Sequence, residues 1–256
     1  MLAIQRREKI LDLLKEDGSA KVIDLARIFR VTEVTIRQDL EKLGKDDLVV
    51  REHGGVYLKN VEAQVRSLAL VNANQFKEAK EMIAEKCLEF IHPGDAIILD
   101  SGSTTTEIAK KIKNINGLTV ITNALNIALM LGENPNIEVV MTGGEFKAPT
   151  LSLTGQKAAD FFRGLNVQKL FLATAGISLK SGLTYPSISD LVVKKAMIDA
   201  AETTYLVADS SKIGKSAFAS LGALGLIDYI ITDSNIDEKH RQVFHDHEIE
   251  LIIATK

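Results

Sequence analysis

From Ile4 to Lys45 apolar side chains recur at three- and four-residue spacings, the period of helices with one buried face, interrupted by turn-forming residues. Ile4, Ile10, Leu11 and Leu14 mark a first helix over Ile4 to Lys15, which Gly18 ends. A second runs from about Val22 to Phe29 with Leu25, Ala26 and Phe29 inward, and the tight turn Arg30-Val31-Thr32 leads into a third. Thr32 is a good N-cap, and Ile36, Leu40 and Leu43 form the buried face of this third helix. Val34, Gln38, Glu41 and Lys45 then point away, with Thr35 and Arg37 at the flanks. After Gly44 the segment DDLVVREHGGVYLK reads as two short strands around a Gly-Gly turn. Three helices and a hairpin wing predict a winged helix-turn-helix over residues 1–57.

Periodicity weakens over residues 58–75, which read as a linker that is partly helical. Beyond it the pattern alternates: a helix from Phe76 to Ile91, the strand AIILD ending at Asp100, a helix after Ser103, and the strand LTVIT ending at Thr122. IEVVMT, KLFLATAG, TYLVAD, DYIITD and IELIIA follow, most of them continuous apolar runs without polar alternation. Such runs belong to parallel strands covered by helices on both faces, so residues 76–256 are expected to form a doubly wound, Rossmann-like α/β domain.

Composition changes this picture only at the margins. The 256 residues are 46% hydrophobic and 25% charged, ordinary for a globular chain with a sizeable core. No apolar run approaches the roughly 20 residues that span a bilayer, and MLAIQRREKI has no signal-peptide pattern, so a cytoplasmic protein is expected. The lone Cys87 keeps step with Ile83, Ala84, Leu88 and Ile91 and is expected in the core. His240, His245 and His247 form no i,i+4 pair, and neither a metal nor a cofactor is expected. A net charge of -3 argues against indiscriminate nucleic-acid coating. Basic residues slightly outnumber acidic ones up to Asn60, so any DNA contact is focused there.

The first candidate constellation is VTEVTIRQDL with REHGGV. A helix entering the major groove reads bases with its N-terminal half, here Thr32, Glu33, Val34, Thr35, Arg37 and Gln38, while Arg51, His53, Gly54 and Gly55 form the wing. Gln38 has the geometry to pair with adenine and Arg37 with guanine or a phosphate. Taken alone, the same pattern also fits a capped amphipathic helix packed on its neighbours. Residues Arg7 to Val56, however, resemble the N-terminal domain of the DeoR family of bacterial regulators, whose recognition helix typically reads TIRRDL and whose wing ends in HGG. Here TIRQDL spans Thr35 to Leu40 and the wing carries His53, Gly54 and Gly55. Gln38 stands where that family usually has a second arginine.

The second constellation is DSGSTTTE, Asp100 to Glu107, between a strand and a helix. Free amides at the helix N-terminus, hydroxyls of Ser101, Ser103, Thr104 and Thr105, and Gly102 for close approach could cradle a phosphate. Ser and Thr at helix starts also simply cap. The DeoR resemblance extends to this region. The family's LDSGTTT, TN, GG, G-L-T and ADSSKFG stretches appear as LDSGSTT, Thr122-Asn123, Gly143-Gly144, Gly182-Leu183-Thr184 and ADSSKIG from Ala208 to Gly214. The resemblance implies a sensor domain similar in fold to ribose-5-phosphate isomerase and glucosamine-6-phosphate deaminase, with a sugar-phosphate effector. Lys194, with Lys195 as its rival, and Lys212 are the expected cations. Asp100 and Asp209, which would repel phosphate, suit sugar hydroxyls or the loop's own amides. Asn123 is a candidate contact, and Gly143 and Gly144 either turn the chain or approach the ligand.

A sugar-phosphate isomerase needs a carboxylate base near the substrate carbons, and Phe171 to Ser178 contains no acid. A sensor is therefore expected ahead of an isomerase-like enzyme, and both ahead of a regulator with a decayed ligand site. The resemblance implies a repressor of carbohydrate uptake or catabolism genes that binds double-stranded operator DNA. One winged helix covers little DNA, so a homodimer or homotetramer is expected.

Overall fold

The computed structural model describes residues 2–17, 19–46, 48–52, 55–58 and 75–255. They belong to two compact units. The expected linker lies almost wholly outside the described residues, as do Gly18, His53 and Gly54.

The first unit runs α1 (Ala3–Asp17), β1 (Ser19–Lys21), α2 (Val22–Phe29), α3 (Glu33–Lys45), β2 (Val49–Glu52) and β3 (Gly55–Leu58). Arg30 adopts a left-handed conformation, φ 51°, and ends α2. Thr32 then caps α3, its Oγ1 accepting from the Thr35 amide at 3.2 Å. The wing has three strands, where the hydrophobic pattern predicts two. β1 joins the hairpin in the order β1-β3-β2, with Ala20 opposite Val56. The buried face of α1 also differs from the expected one. Arg6, Ile10, Leu13 and Leu14 point inward, whereas Ile4 is 62% exposed and Leu11 only half-buried. The face is turned because Arg6 reaches Asp39 on α3, a pairing that local periodicity cannot register.

From residue 75 onward, α4 (Lys77–Cys87) precedes β4 (Ala96–Leu99), α5 (Ser103–Ile112), β5 (Thr119–Thr122), α6 (Leu125–Leu131) and β6 (Glu138–Met141). A hairpin follows, β7 (Glu145–Lys147) with β8 (Ser152–Thr154), then α7 (Gln156–Phe161) and β9 (Val167–Leu172). The strand β9 stops at Leu172, so Ala173, Thr174 and Ala175 of the run KLFLATAG are not strand. After it come β10 (Gly176–Ser178), β11 (Gly182–Tyr185), α8 (Ile188–Asp199), β12 (Ala201–Val207) and β13 (Ala219–Gly222). The chain closes with β14 (Tyr229–Asp233), α9 (Glu238–Asp246) and β15 (Glu250–Ala254).

Seven strands form a parallel sheet in the order β15-β14-β12-β9-β4-β5-β6. Alternate residues of its central strands serve opposite faces, which explains their apolar runs. Ile97, Leu99, Phe171 and Val207 pack with Ile83, Cys87, Ile108 and Ile112. Ile98, Leu170, Leu172 and Leu206 pack on the other side with Ala158, Val193 and Met197. Cys87 is core, and burial pushes its thiol far above the usual range. The chain leaves β4 toward β5 and β6, then returns to β9 on β4's other side. In open α/β sheets ligands bind beyond the carboxyl ends of the strands at such a switch point, which here falls between β4 and β9. A small antiparallel sheet, β10-β11-β13, follows the end of β9 and was not foreseen from the apolar runs.

Candidate functional site

The outer face of α3 carries Glu33, Val34, Arg37, Gln38 and Glu41, all exposed, with Thr32 at the cap and Thr35 half-buried. Thr35 Oγ1 lies 3.0 Å from Thr32 Oγ1, so the two hydroxyls hold each other at the helix start. Arg37 Nη2 donates to Glu33 Oε2 at 3.2 Å, one turn back along the same helix. On the inner face the Asp39 carboxylate accepts from Arg6 Nε at 2.5 Å, and both side chains are buried. This pair ties α3 to α1. Arg51 is exposed on β2 and Gly55 opens β3. His53 and Gly54 cannot be placed among the described residues.

At the switch point Asp100 follows β4 and is fully buried. Its Oδ1 accepts from the Ser101 amide at 2.7 Å and its Oδ2 from the Ala173 amide at 3.0 Å, joining the ends of β4 and β9. Lys194 Nζ donates to the same two oxygens at 2.5 and 2.6 Å and lies over the Tyr185 ring, 5.1 Å from its centroid. Tyr185 Oη donates to the Ala173 carbonyl at 2.8 Å. Burial pushes the Asp100 carboxyl above its ordinary range, while Lys194 and the amides of Ala173 and Ser101 pull the other way. This corrects one expectation from the sequence, since Lys194 is not an open cation but the buried counter-charge of Asp100. Of the two roles open to Asp100 the structure shows the second, acceptance from the loop's own amide at Ser101.

The turn into α5 is built on Gly102. Its backbone is extended, and what demands glycine is close approach: a Cβ there would stand 2.6 Å from Ala173 Cβ. The Gly102 carbonyl accepts from Thr105 Oγ1 at 3.0 Å and from Thr106 Oγ1 at 2.7 Å. Thr105 therefore spends its hydroxyl proton inside the turn instead of presenting it outward, contrary to expectation. No side chain caps α5, which leaves its first-turn amides to an anion or water. Ser101 and Ser103 are half-buried beside them and Thr104 is buried.

Beyond β12, Asp209 caps a short turn over Ser210–Lys212. Its Oδ1 accepts from the Ser211 amide at 3.1 Å and from Ser211 Oγ. The other oxygen, Oδ2, is buried without a hydrogen-bond partner among the described residues. Lys212 closes the turn and is half-buried. A further lysine belongs here that was not singled out from the sequence. Lys80, in the first turn of α4, is 3% exposed and feels Asp209, Lys212 and Glu107. Burial lowers its pKa; Asp209 opposes this, Lys212 adds to it and Glu107 opposes. The signal was available, since Lys80 sits three, four and seven residues before Ile83, Ala84 and Cys87, inside the apolar stripe. A lysine in a buried stripe is rarely there without a partner.

Residues 75–234 match the DeoR C terminal sensor domain, and residues 6–61 match the DeoR-like helix-turn-helix domain. The chain belongs to the DeoR family. It is 34% identical to the uncharacterized HTH-type transcriptional regulator YulB of Bacillus subtilis, over 98% of this chain and 96% of that one. It is 32% identical to the putative aga operon transcriptional repressor of Escherichia coli O157:H7, over 98% and 93%. With the glycerol-3-phosphate regulon repressor of Escherichia coli K12 the identity is 30%, over 98% and 99%. Among solved structures, ribose 5 phosphate isomerase A from Neisseria gonorrhoeae is 16% identical with a TM-score of 0.39, covering 54% of this chain and 53% of that one. So partial a likeness says nothing about activity.

Several stretches that this DeoR-family chain shares with its family have structural explanations. Gly182 has φ +63°, and a Cβ there would overlap the Gly222 carbonyl at 1.7 Å, while Thr184 Oγ1 donates to the Gly176 carbonyl at 2.9 Å. The G-L-T stretch thus holds the small sheet together. Asn123 Nδ2 donates to the Leu153 carbonyl at 3.0 Å and anchors β8. Gly144, φ +130°, leaves no room for a Cβ beneath Thr154 and Ala158, which accounts for it as a chain turn; Gly143 faces open space.

Proposed function

We propose that this DeoR-family regulator is a repressor of carbohydrate uptake or catabolism genes, working in the cytoplasm and released from operator DNA by a phosphorylated sugar. The observation that carries the effector assignment is the start of α5 at the carboxyl edge of the sheet, which has no side-chain cap and leaves its first-turn amides to an anion. The amides of Ser103, Thr104 and Thr105 are the donors, and Lys80, which interacts with Asp209 and Lys212, adds positive charge together with Lys212. The glycerol-3-phosphate regulon repressor of Escherichia coli carries a phosphorylated metabolite in its name. DNA is read by Thr32, Glu33, Val34, Thr35, Arg37 and Gln38 of α3, with the wing residues Arg51, His53, Gly54 and Gly55 at the backbone. A homodimer or homotetramer supplies the repeated half-sites that specificity requires.

The absence of catalysis is part of the proposal. An isomerase-like base would be a carboxylate in the stretch that follows β9, where Phe171 to Ser178 contains no acid, and the adjacent Asp100 is enclosed by Lys194, Ser101 and Ala173. Thermal unfolding of the full chain, with sugar phosphates, their parent sugars and inorganic phosphate added in turn, tests the reading. A sugar phosphate at a hundredfold its dissociation constant should add about 2.7 kcal/mol of stability and its parent sugar none. Equal stabilisation by the parent sugar, or turnover of the sugar phosphate, would remove the proposal.

A further inference from the structure

Val34 is 62% exposed in the first turn of α3, whereas Ile36, Leu40 and Leu43 on the same helix are buried. Single exposed valines are common and need no explanation by themselves. The neighbours of Val34 supply one. Arg37 and Gln38 stand three and four residues further on, so the three side chains form one exposed patch with Val34 at its helix-N-terminal corner. Arg37 and Gln38 have the pairing geometry for guanine and adenine, and the N-terminal residues of a recognition helix contact base edges in the major groove. In that groove the 5-methyl group of thymine is the apolar feature that an aliphatic side chain can recognise.

Glu33 completes the arrangement. A carboxylate facing the phosphates of DNA is repelled unless it is neutralised, and Glu33 is paired with Arg37 at 3.2 Å. The pair also restricts where the guanidinium can point, which lowers the ordering cost of a base contact. Resting on the assignment of α3 as the DNA-reading helix, we propose that Val34 reads the methyl group of a thymine beside the base engaged by Arg37, with Glu33 as the positioning residue for Arg37. The operator half-site is therefore expected to contain a guanine adjacent to an A·T pair whose thymine methyl faces the protein.

The test begins with selection of duplexes from a randomised library by the full-length protein. The selected duplex is resynthesised with deoxyuridine replacing one thymine at a time, which deletes only the methyl group. One position per half-site should weaken wild-type binding roughly fourfold, the value of one buried methyl at 0.8 kcal/mol converted at 1.4 kcal/mol per tenfold. Val34→Ala should bind the thymine and uracil duplexes equally, and Val34→Thr, which keeps a methyl, should retain most of the preference. Glu33→Gln should relax discrimination at the adjacent guanine without a matching loss of affinity. Methyl sensitivity that persists in Val34→Ala, or is absent from every position in wild type, overturns the inference. Failure to enrich any duplex would instead overturn the DNA-reading assignment on which it rests.

Discussion

Lys194 and Asp100, 94 residues apart in sequence, form a two-pronged ion pair that ties α8 to the end of β4. Both side chains are almost wholly shielded from water, at 7% and 0% exposure. A pair so buried adds little net stability over an apolar replacement, yet removing one partner strands the other charge.

Lys194→Met is accordingly expected to lower the unfolding free energy by about 3–5 kcal/mol, because the Asp100 carboxylate loses its counter-charge. Adding Asp100→Asn should recover a large part of that loss, since the remaining amide carries no charge. Denaturant melts of the two variants decide the matter. A Lys194→Met protein as stable as wild type would mean the pair is not formed in solution.

Arg6→Met and Arg37→Ala should both impair operator binding, for different reasons that can be separated. Arg6 anchors α1 to Asp39 on the inner side of α3, and losing it should destabilise this small unit by roughly 3–5 kcal/mol, a large fraction of a small domain's stability. Arg37 is exposed, so its loss should weaken binding by about 1–3 kcal/mol with the fold intact. Far-ultraviolet circular dichroism beside gel-shift titration distinguishes the two. An unfolded Arg37→Ala protein, or a fully stable Arg6→Met protein, would contradict this division.

Lys80→Gln and Lys212→Gln should each reduce sugar-phosphate affinity by about ten- to a hundredfold, corresponding to the 1.5–3 kcal/mol of a hydrogen bond to a charged group. Operator affinity without effector should not change. Thr105→Val should behave differently, because its hydroxyl serves the Gly102 carbonyl: the turn itself loses stability. Calorimetric titration with the sugar phosphate that stabilises wild type checks all three. Wild-type affinity in both lysine variants would place the effector elsewhere.

Asp233 gives the acid limb of the stability profile a defined sign. Burial alone would raise its carboxyl, but the amide and hydroxyl of Ser210 and the side-chain and backbone amides of Asn235 hold it below the ordinary 3.8. A carboxylate with a depressed folded pKa contributes stability that is complete above the unfolded value and lost as pH falls through the folded one. The stability gap between wild type and Asp233→Asn should thus be constant near neutrality and close below about pH 4. A gap that stayed constant down to pH 2 would show that Asp233 does not titrate in this way.

Local features of this protein were decided by the sequence alone. Val22–Phe29 forms a helix over the expected bounds, Thr32 caps α3, and Ile36, Leu40 and Leu43 face inward. The apolar runs became parallel strands whose alternate residues serve two cores. Each of these follows from interactions within about four residues or from burial on both faces of a strand, and both leave a periodic trace. Pairings between distant residues leave no such trace. Arg6 turned α1 by reaching Asp39, Lys194 became the partner of Asp100 rather than of a ligand, and β1 became a third strand of the wing. Lys80 marked itself only as a charge in an apolar stripe, and its neighbours Asp209 and Lys212 came from elsewhere in the chain. A charge buried by folding must find a counter-charge or hydrogen bonds, but which residue supplies them depends on how the strands and helices are ordered in space, and only the tertiary structure decided that.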